Sequence, residues 1–298
     1  MEPKRSKRRA LTFALATCLL TIPAAVCRAD DDDQPASRAV DKSQYTLFNP
    51  TPKESMREFN SDSPDLTDGP YTIDAGHLQI ETAFVTYTFN EHADVTSRTF
   101  SVLPTQFRLG VLNNTELDLI FGPFVYSRVH SQTVTTKSTG IDDTTLRAKI
   151  NLFGNDQGKI AFGLIPSVQI PTARVANGLG TGHVQGGIAF PISFTLPKDF
   201  GLGVMPEIDY LRNADNTGYG TRLFFSASLD HPIYGNLGGY VEFVSVASTH
   251  LHQTYQAFMG TGCSYLISEN FQIDAGVNFG ISEQADDYTI TAGFTWRI

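Results

Sequence analysis

Phe271-Gln272-Ile273-Asp274-Ala275-Gly276-Val277-Asn278-Phe279-Gly280-Ile281 alternates without a break. In an extended chain, successive side chains point to opposite faces. Phe271, Ile273, Ala275, Val277, Phe279 and Ile281 therefore share one face. Gln272, Asp274, Gly276, Asn278 and Gly280 share the other. Period two over this length describes a strand with one apolar and one polar face. A strand of about 9–11 residues is long enough to cross a bilayer at a tilt.

The same pattern recurs on both sides of this stretch. Leu146, Ala148, Ile150 and Leu152 alternate with Arg147, Lys149 and Asn151. Ile160, Phe162, Leu164, Pro166, Val168 and Ile170 share a face, as do Phe200, Leu202, Val204, Pro206, Ile208 and Tyr210. Twelve such segments are expected: 77–89, 100–111, 115–126, 142–153, 159–170, 184–196, 200–211, 219–230, 237–247, 255–267, 271–281 and 288–298. The first slips parity near Phe84-Val85, the mark of a β-bulge. The ninth is the weakest, because Tyr240, Val244 and Val246 break its alternation.

The connections decide the class. Asn113-Asn114, Gly154 to Gly158, Pro197-Lys198-Asp199, His231 to Asn236 and Ser268-Glu269-Asn270 are tight. The connections between them, 90–99, 127–141, 171–183, 212–218, 248–254 and 282–287, are mostly longer. Alternating short turns and long loops are what a transmembrane up-and-down barrel produces, with its turns in the periplasm and its loops outside. Aromatic residues gather where the two membrane interfaces should lie. Tyr87, Phe89, Tyr210, Tyr219, Tyr255 and Tyr288 stand at loop-side strand ends; Phe153, Phe200, Tyr234, Tyr265, Phe271 and Trp296 stand at turn-side ends. Amphipathic rings prefer headgroup level. The expected fold is an all-β, antiparallel outer-membrane barrel of about 12 strands over residues 70–298, with outer-membrane lipid as its surroundings.

The rest of the chain fits export. Lys4, Arg5, Lys7, Arg8 and Arg9 precede an apolar run from Ala10 to Val26, and Cys27-Arg28-Ala29 offers small residues for cleavage before Asp30. Residues 1–29 read as a signal peptide. Its loss takes 22 basic residues to 16 and 31 acidic residues to 30, a net charge of −14. That balance argues against nucleic acid as a partner. Cys18 and Cys27 go with the signal, leaving Cys263 and no intrachain disulfide. Residues 30–69 are rich in Asp, Pro and Ser without periodicity, and are expected to be a mobile periplasmic segment. At the other end, Thr291-Ala292-Gly293-Phe294-Thr295-Trp296-Arg297-Ile298 resembles the C-terminal signal read by the bacterial barrel-assembly machinery. That resemblance implies this machinery as a partner during insertion, although Ile298 stands where an aromatic residue is usual.

Ser63-Pro64-Asp65-Leu66-Thr67-Asp68-Gly69-Pro70, followed by Ala75-Gly76-His77-Leu78-Gln79-Ile80-Glu81, resembles the opening motif of a family of outer-membrane transporters named for the meta-pathway of phenol degradation. Ser63 replaces the arginine usual there. Gly140-Ile141-Asp142-Asp143 leading to Lys149, and Ile170-Pro171-Thr172-Ala173, resemble two further boxes of the family, with Ala173 at a glycine position. The resemblance spans about residues 62–298. It implies a barrel for uptake of small, hydrophobic or aromatic solutes and brings no catalytic residue.

The sequence carries no catalytic set. His130-Ser131-Gln132 has the residue types of a hydrolase, but adjacent residues in an extended chain point apart. Asp142, Asp143, His183, His250 and His252 are candidates for a rim protease, and His250 with His252 for a metal. Isolated polar loop residues explain them as well. No cofactor or metal is expected, and a structural or adhesive surface barrel stands as the alternative. The informative residues are those pointing inward: Glu81, Glu116, Asp118, Glu207, Asp209, Glu242 and Asp274, against Arg108, Arg147, Lys149, Arg222 and Arg297. They either pair and fill the interior or line a polar channel with weak cation preference. Residues 171–183, with Gly178, Gly180 and Gly182, are a candidate gating loop. Its Arg174 and His183 would be drawn to the lumen acids Glu81, Glu207 and Glu242.

Overall fold

The computed structural model describes residues 41–156, 158–213, 217–249 and 255–298. Residues 1–40, and with them the expected signal peptide, lie outside the described residues, as do His250 and His252. No described helix is long and apolar enough to cross a membrane. The chain crosses with strands.

Three hydrogen-bonded segments, β1 (Leu78–His92), β2 (Val95–Val102) and β3 (Thr105–Leu112), open the sheet. They are followed by β4 (Thr115–Phe121), β5 (Phe124–His130), β6 (Thr135–Gly140), β7 (Thr144–Phe153), β8 (Ile160–Ile170), β9 (Gln185–Ala189) and β10 (Ile192–Thr195). The longer β11 (Gly201–Arg212), β12 (Tyr219–Tyr234), β13 (Leu237–Ser248), β14 (Tyr255–Ser268), β15 (Phe271–Gly280) and β16 (Tyr288–Arg297) complete it. These sixteen segments form twelve barrel strands, because β2–β3, β4–β5, β6–β7 and β9–β10 are each one strand interrupted once. Three of the interruptions hold a proline, Pro104, Pro123 and Pro191. Proline has no N–H to give the ladder.

All pairings are antiparallel, and β16 pairs with β1 from Gln79↔Arg297 to Phe89↔Tyr288, which closes the barrel. That register shifts between Ala83 and Val85, the bulge expected at Phe84-Val85. The ninth barrel strand, β13, is paired along its length with β12 and β14. Its alternation fails in sequence because Tyr240 and Val244 are apolar residues buried beside the acid Glu242.

Two expected loops are strands. In place of a loop over 90–99, β1 and β2 meet at a two-residue turn, Ala93-Asp94, both with positive φ. That is the geometry of a hairpin whose twist matches its strands. In place of a loop over 127–141, β5 and β6 form a hairpin turning at 131–134. Apolar alternation stops before these strands do, since both faces are polar there: Thr96-Ser97-Arg98-Thr99 on one, Thr135-Thr136-Lys137-Ser138-Thr139 on another.

Burial is inverted relative to a water-soluble fold. In β15, Gln272, Asp274 and Asn278 are buried, while Ile273 and Phe279 are 41% and 49% exposed. The outward faces carry Ile160, Ile208, Leu223, Val241 and Ile290, all exposed. A continuous apolar exterior of this kind needs lipid around it. The exposed rings of Tyr234, Tyr265 and Trp296 stand toward the turn-side rim. At the loop side Tyr210 stacks on Tyr219 with centroids 4.8 Å apart, and Phe89 on Tyr288 at 5.3 Å. Cys263 is free and exposed.

Candidate functional site in the barrel lumen

The chain enters its own barrel. Residues 41–56 follow the turn-side rim, where Leu47 N–H donates to the Val111 carbonyl and Thr51 N–H to that of Ala75. From Arg57 the chain runs inward, reverses at 63–68, and returns to the rim by Asp74. Gly69 N–H donates to Asp62 Oδ1 across the base of this excursion, 3.2 Å. Residues 57–69 were expected to be unattached periplasmic chain. They are instead bound inside the lumen, because the inward wall offers buried charges that an acidic segment can neutralise.

The clamp sits on β3, β4 and β7. Lys149 Nζ is 2.5 Å from Asp62 Oδ2 and 3.7 Å from Glu116. Arg108 meets Asp62 at 3.1 Å, Glu81 at 2.7 Å and Glu116 at 2.8 Å. Arg108, Lys149 and Glu116 are wholly buried. Burying charges is tolerable only when each is paired and hydrogen-bonded, and here two cations meet three carboxylates. A second pair lies alongside: Arg147 contacts Asp68 at 2.6 Å and Asp118 at 3.3 Å. Backbone completes the grip. Arg108 donates to the Tyr71 carbonyl, Asn151 to that of Pro70, and Ile73 N–H to Glu116.

Across the lumen, on β13, β15 and β16, the contacts are lighter. Glu242 Oε1 accepts from Leu66 N–H at 2.9 Å and Thr67 Oγ1–H at 2.6 Å. Ser63 Oγ–H donates to Asp274 at 3.4 Å, and the hydroxyls of Ser61 and Thr295 are 2.8 Å apart. No ion pair among the described residues neutralises Glu242 or Asp274. Glu242 Oε2, Asp274 Oδ2, Asn278 Oδ1, Tyr240 Oη and Ser226 Oγ have no hydrogen-bond partner among the described residues.

Toward the loop side, Asp209 and Arg222 pair across β11 and β12 at 2.8 Å, with Glu207 3.9 Å from the same guanidinium. Near them the inward side chains turn apolar. Ile165, Ala189 and Met205 are buried together with Phe224 packed against them.

At the rim, Asp156 in the β7–β8 turn receives Arg57 Nε at 2.9 Å and Lys42 Nζ at 3.0 Å. Partial burial would raise its carboxyl, but the hydrogen bonds from Arg57 and Lys42 outweigh it and hold the group below its ordinary value.

Residues 61–298 match a protein-family model described as "Putative MetA-pathway of phenol degradation". The chain belongs to this family. The match begins at Ser61, so it takes in most of the inner excursion as well as the barrel. No curated protein matches the chain. Among solved structures, an outer membrane channel from Pseudomonas putida F1 is similar, with TM-score 0.58 and 12% identity over 80% of this chain and 100% of that one. The translocator domain of the autotransporter NalP from Neisseria meningitidis gives TM-score 0.48 and 11% identity over 80% of this chain and 90% of that one. The likeness to the Pseudomonas putida channel is of fold, and the chain is an outer-membrane β-barrel.

All eleven inward charges expected between Glu81 and Asp274 are placed, eight of them around the excursion and Glu207, Asp209 and Arg222 nearer the loops. Arg297, the twelfth, donates to Asn270 and to the Arg57 carbonyl. The candidate gating loop is held differently from expectation. Asp143 accepts from the backbone N–H groups of Ala173 and Thr181, and Asn177 donates to the Thr139 carbonyl, so the loop lies against β6 and the start of β7. Gly178, Gly180 and Gly182 all have positive φ, which this tight path requires. Arg174 is exposed and His183 half-buried. Neither forms an ion pair with Glu81, Glu207 or Glu242, whose partners are Arg108, Arg222 and Thr67. The lumen is narrowed by the excursion instead.

The candidate hydrolase triplet is dispersed. His130 pairs with Thr135, Ser131 donates to the Val134 carbonyl, and Gln132 donates to Asp94. The site residues missed from sequence are Asp62, Thr67 and Asp68. Their only sequence signal is an acidic box just before the first strand of a barrel whose interior carries buried cations.

Proposed function

We propose that this chain is a passive outer-membrane channel for small solutes, aromatic compounds among them, with no catalytic role and no cofactor. The observation that carries the reading is the two-sided lumen: a locked wall on β3, β4 and β7, and facing it a wall of acids and hydroxyls that the excursion holds by lighter contacts and no cation among the described residues neutralises. Displacing the excursion would take Asp62 from Lys149 and Arg108, and Asp68 from Arg147, at once. Each broken buried pair costs about 3–5 kcal/mol. Two such losses, about 6 kcal/mol or more, leave the displaced form at roughly one part in ten thousand or less. The excursion is therefore a fixed constriction.

Two features bear on selectivity. Glu242 and Asp274 lack cationic partners, which favours cations. Phe224, half-buried on the inward cluster of Ile165, Ala189 and Met205, gives an aromatic ring an apolar contact above the constriction, consistent with the family's description. Insertion by the barrel-assembly machinery, read from the last strand, belongs to the same proposal.

Planar-bilayer recording tests it. Wild type is expected to conduct with a modest cation preference, and Glu242→Gln with Asp274→Asn to reduce that preference at similar conductance. A folded protein that carries no current, and gives liposomes no permeability to phenolic solutes, overturns the reading.

A further inference from the structure

Inside this barrel Arg108, Arg147, Lys149 and Arg222 are all ion-paired; on one patch of its outside the rule is dropped. Arg98 on β2 stands opposite Arg128 on β5, and Arg128 opposite Lys137 on β6. Three cations thus sit side by side across three adjacent strands. None forms an ion pair among the described residues. Like charges directly opposite one another weaken a sheet, so this row is unfavourable unless something anionic lies on it. The chain as a whole is acidic, at −9, which makes the concentration more pointed.

The face and height of the row are fixed by register. On these strands the polar residues Ser97, Thr99 and Ser127 point inward, so Arg98 and Arg128 point outward. The next row toward the membrane is Tyr87↔Phe100↔Tyr126. These rings pack tilted against one another, with Tyr87 and Phe100 centroids 4.6 Å apart and Phe100 and Tyr126 at 6.4 Å. An aromatic row of this kind marks the interface. Two residues of strand advance about 7 Å, which places the cations at headgroup height. Phe89 on β1 stands beside Arg98 in the same row, with Arg98 Cζ 5.7 Å from its ring centre. The row beyond brings His130 opposite Thr96, and Thr96, Arg98, Arg128 and His130 line a shallow pocket. Glu91 lies in that outer row, opposite Thr96, and pairs with none of the cations. The rim concerned is the one opposite the short turns, which faces outside the cell.

We propose that Arg98, Arg128 and Lys137 form a binding site for a phosphate group of the phosphorylated glycolipid in the outer leaflet. Arginine forks match phosphate oxygens in pairs. An anion between the two guanidinium groups removes their repulsion and ties the tall hairpins β1–β2 and β5–β6 to the membrane surface.

Native mass spectrometry of the folded protein in detergent tests this with three probes: lipid A, lipid A stripped of its phosphates, and inorganic phosphate. Lipid A is expected to bind one to one and the stripped lipid not to bind. A juxtamembrane charge contributes roughly fivefold, so Arg98→Gln/Arg128→Gln should weaken binding about 25-fold. Arg98→Lys/Arg128→Lys, which keeps the charges without the forks, should fall between wild type and the glutamine variant, and Lys159→Gln/Lys198→Gln at the opposite rim should leave binding unchanged. Equal binding of stripped lipid to wild type overturns the proposal without any variant. So does displacement of lipid A by millimolar inorganic phosphate, which would make this a free-anion site.

Discussion

Asp62 on the inner segment and Lys149 on β7 meet at 2.5 Å with both side chains buried. They are 87 residues apart in sequence, so this contact records the chain folding into a barrel that the same chain has built. Lys149 has one further carboxylate, Glu116, at 3.7 Å. Asp62→Asn therefore leaves a buried ammonium with a single distant partner. A loss of about 3 kcal/mol is expected, the low end for a broken buried pair. Asp62→Asn/Lys149→Met should recover much of it. Urea unfolding in liposomes measures both, and additive losses would mean that the pair is not coupled.

Val241 on β13 is 51% exposed on the outward face, opposite Leu229 and Thr261. An arginine there faces hydrocarbon near mid-depth, which costs about 2–4 kcal/mol in barrels of this kind. Val241→Leu should be nearly neutral. If the two variants fold with equal free energy in liposomes, the outward face is not in lipid.

The strands were legible because a bilayer forces a binary pattern. Wherever one face meets lipid, as in Phe271–Ile281, apolar residues must recur at period two. Legibility ended where that constraint ended. Thr96–Thr99 and Thr135–Thr139 are strands wet on both sides and read as loop. Tyr240 and Val244 are apolar residues turned inward and blurred β13. The excursion was illegible for a different reason. Asp62 and Asp68 have no periodicity of their own, and what fixes them, Lys149 and Arg147, is far away in sequence. The inward facing of those cations was readable, but their need for a partner from outside the barrel wall was not.

Tyr240 spans two glycines. A Cβ built on Gly262 would lie 2.6 Å from Tyr240 Cε1, and one on Gly276 would lie 2.5 Å from Tyr240 Oη. Tyr240, Gly262 and Gly276 are neighbours in one row across β13, β14 and β15. The ring therefore lies flat on the wall only because two side chains are missing. Gly276→Ala should cost about 1–3 kcal/mol by overpacking, and Gly276→Ala/Tyr240→Ala less than the sum of its parts. Thermal unfolding, followed by loss of the compact form on unheated gels, reads both.

Acid should loosen the rim. Asp156 is held below its ordinary value of 3.8 by Arg57 and Lys42, against partial burial. A carboxyl whose folded pKa is depressed stabilises above the unfolded value, and that stabilisation is lost as pH falls through the folded value. The melting difference between wild type and Asp156→Asn should hold steady above about pH 5 and shrink below 3.8. A difference that grows toward acid would have the sign reversed, and Asp156 would then not be anchoring this end of the segment.

A cross-link between the excursion and the wall decides whether the excursion moves. Ser61 and Thr295 place their hydroxyls 2.8 Å apart, one on the excursion and one on the barrel wall. Ser61→Cys/Thr295→Cys, with Cys263→Ser to remove the native thiol, puts two sulfurs where a bond can close. Oxidation then staples the excursion to β16. The charge clamp already makes displacement rarer than about one part in ten thousand. A channel that conducts beside a fixed constriction should therefore carry the same current oxidised and reduced. A gate opened by withdrawal of the segment would instead close on oxidation and reopen with reductant. Single-channel recording of one preparation, before and after reductant, separates the two. A reversible loss of conductance would make the excursion a moving plug and remove the argument for a permanent wall.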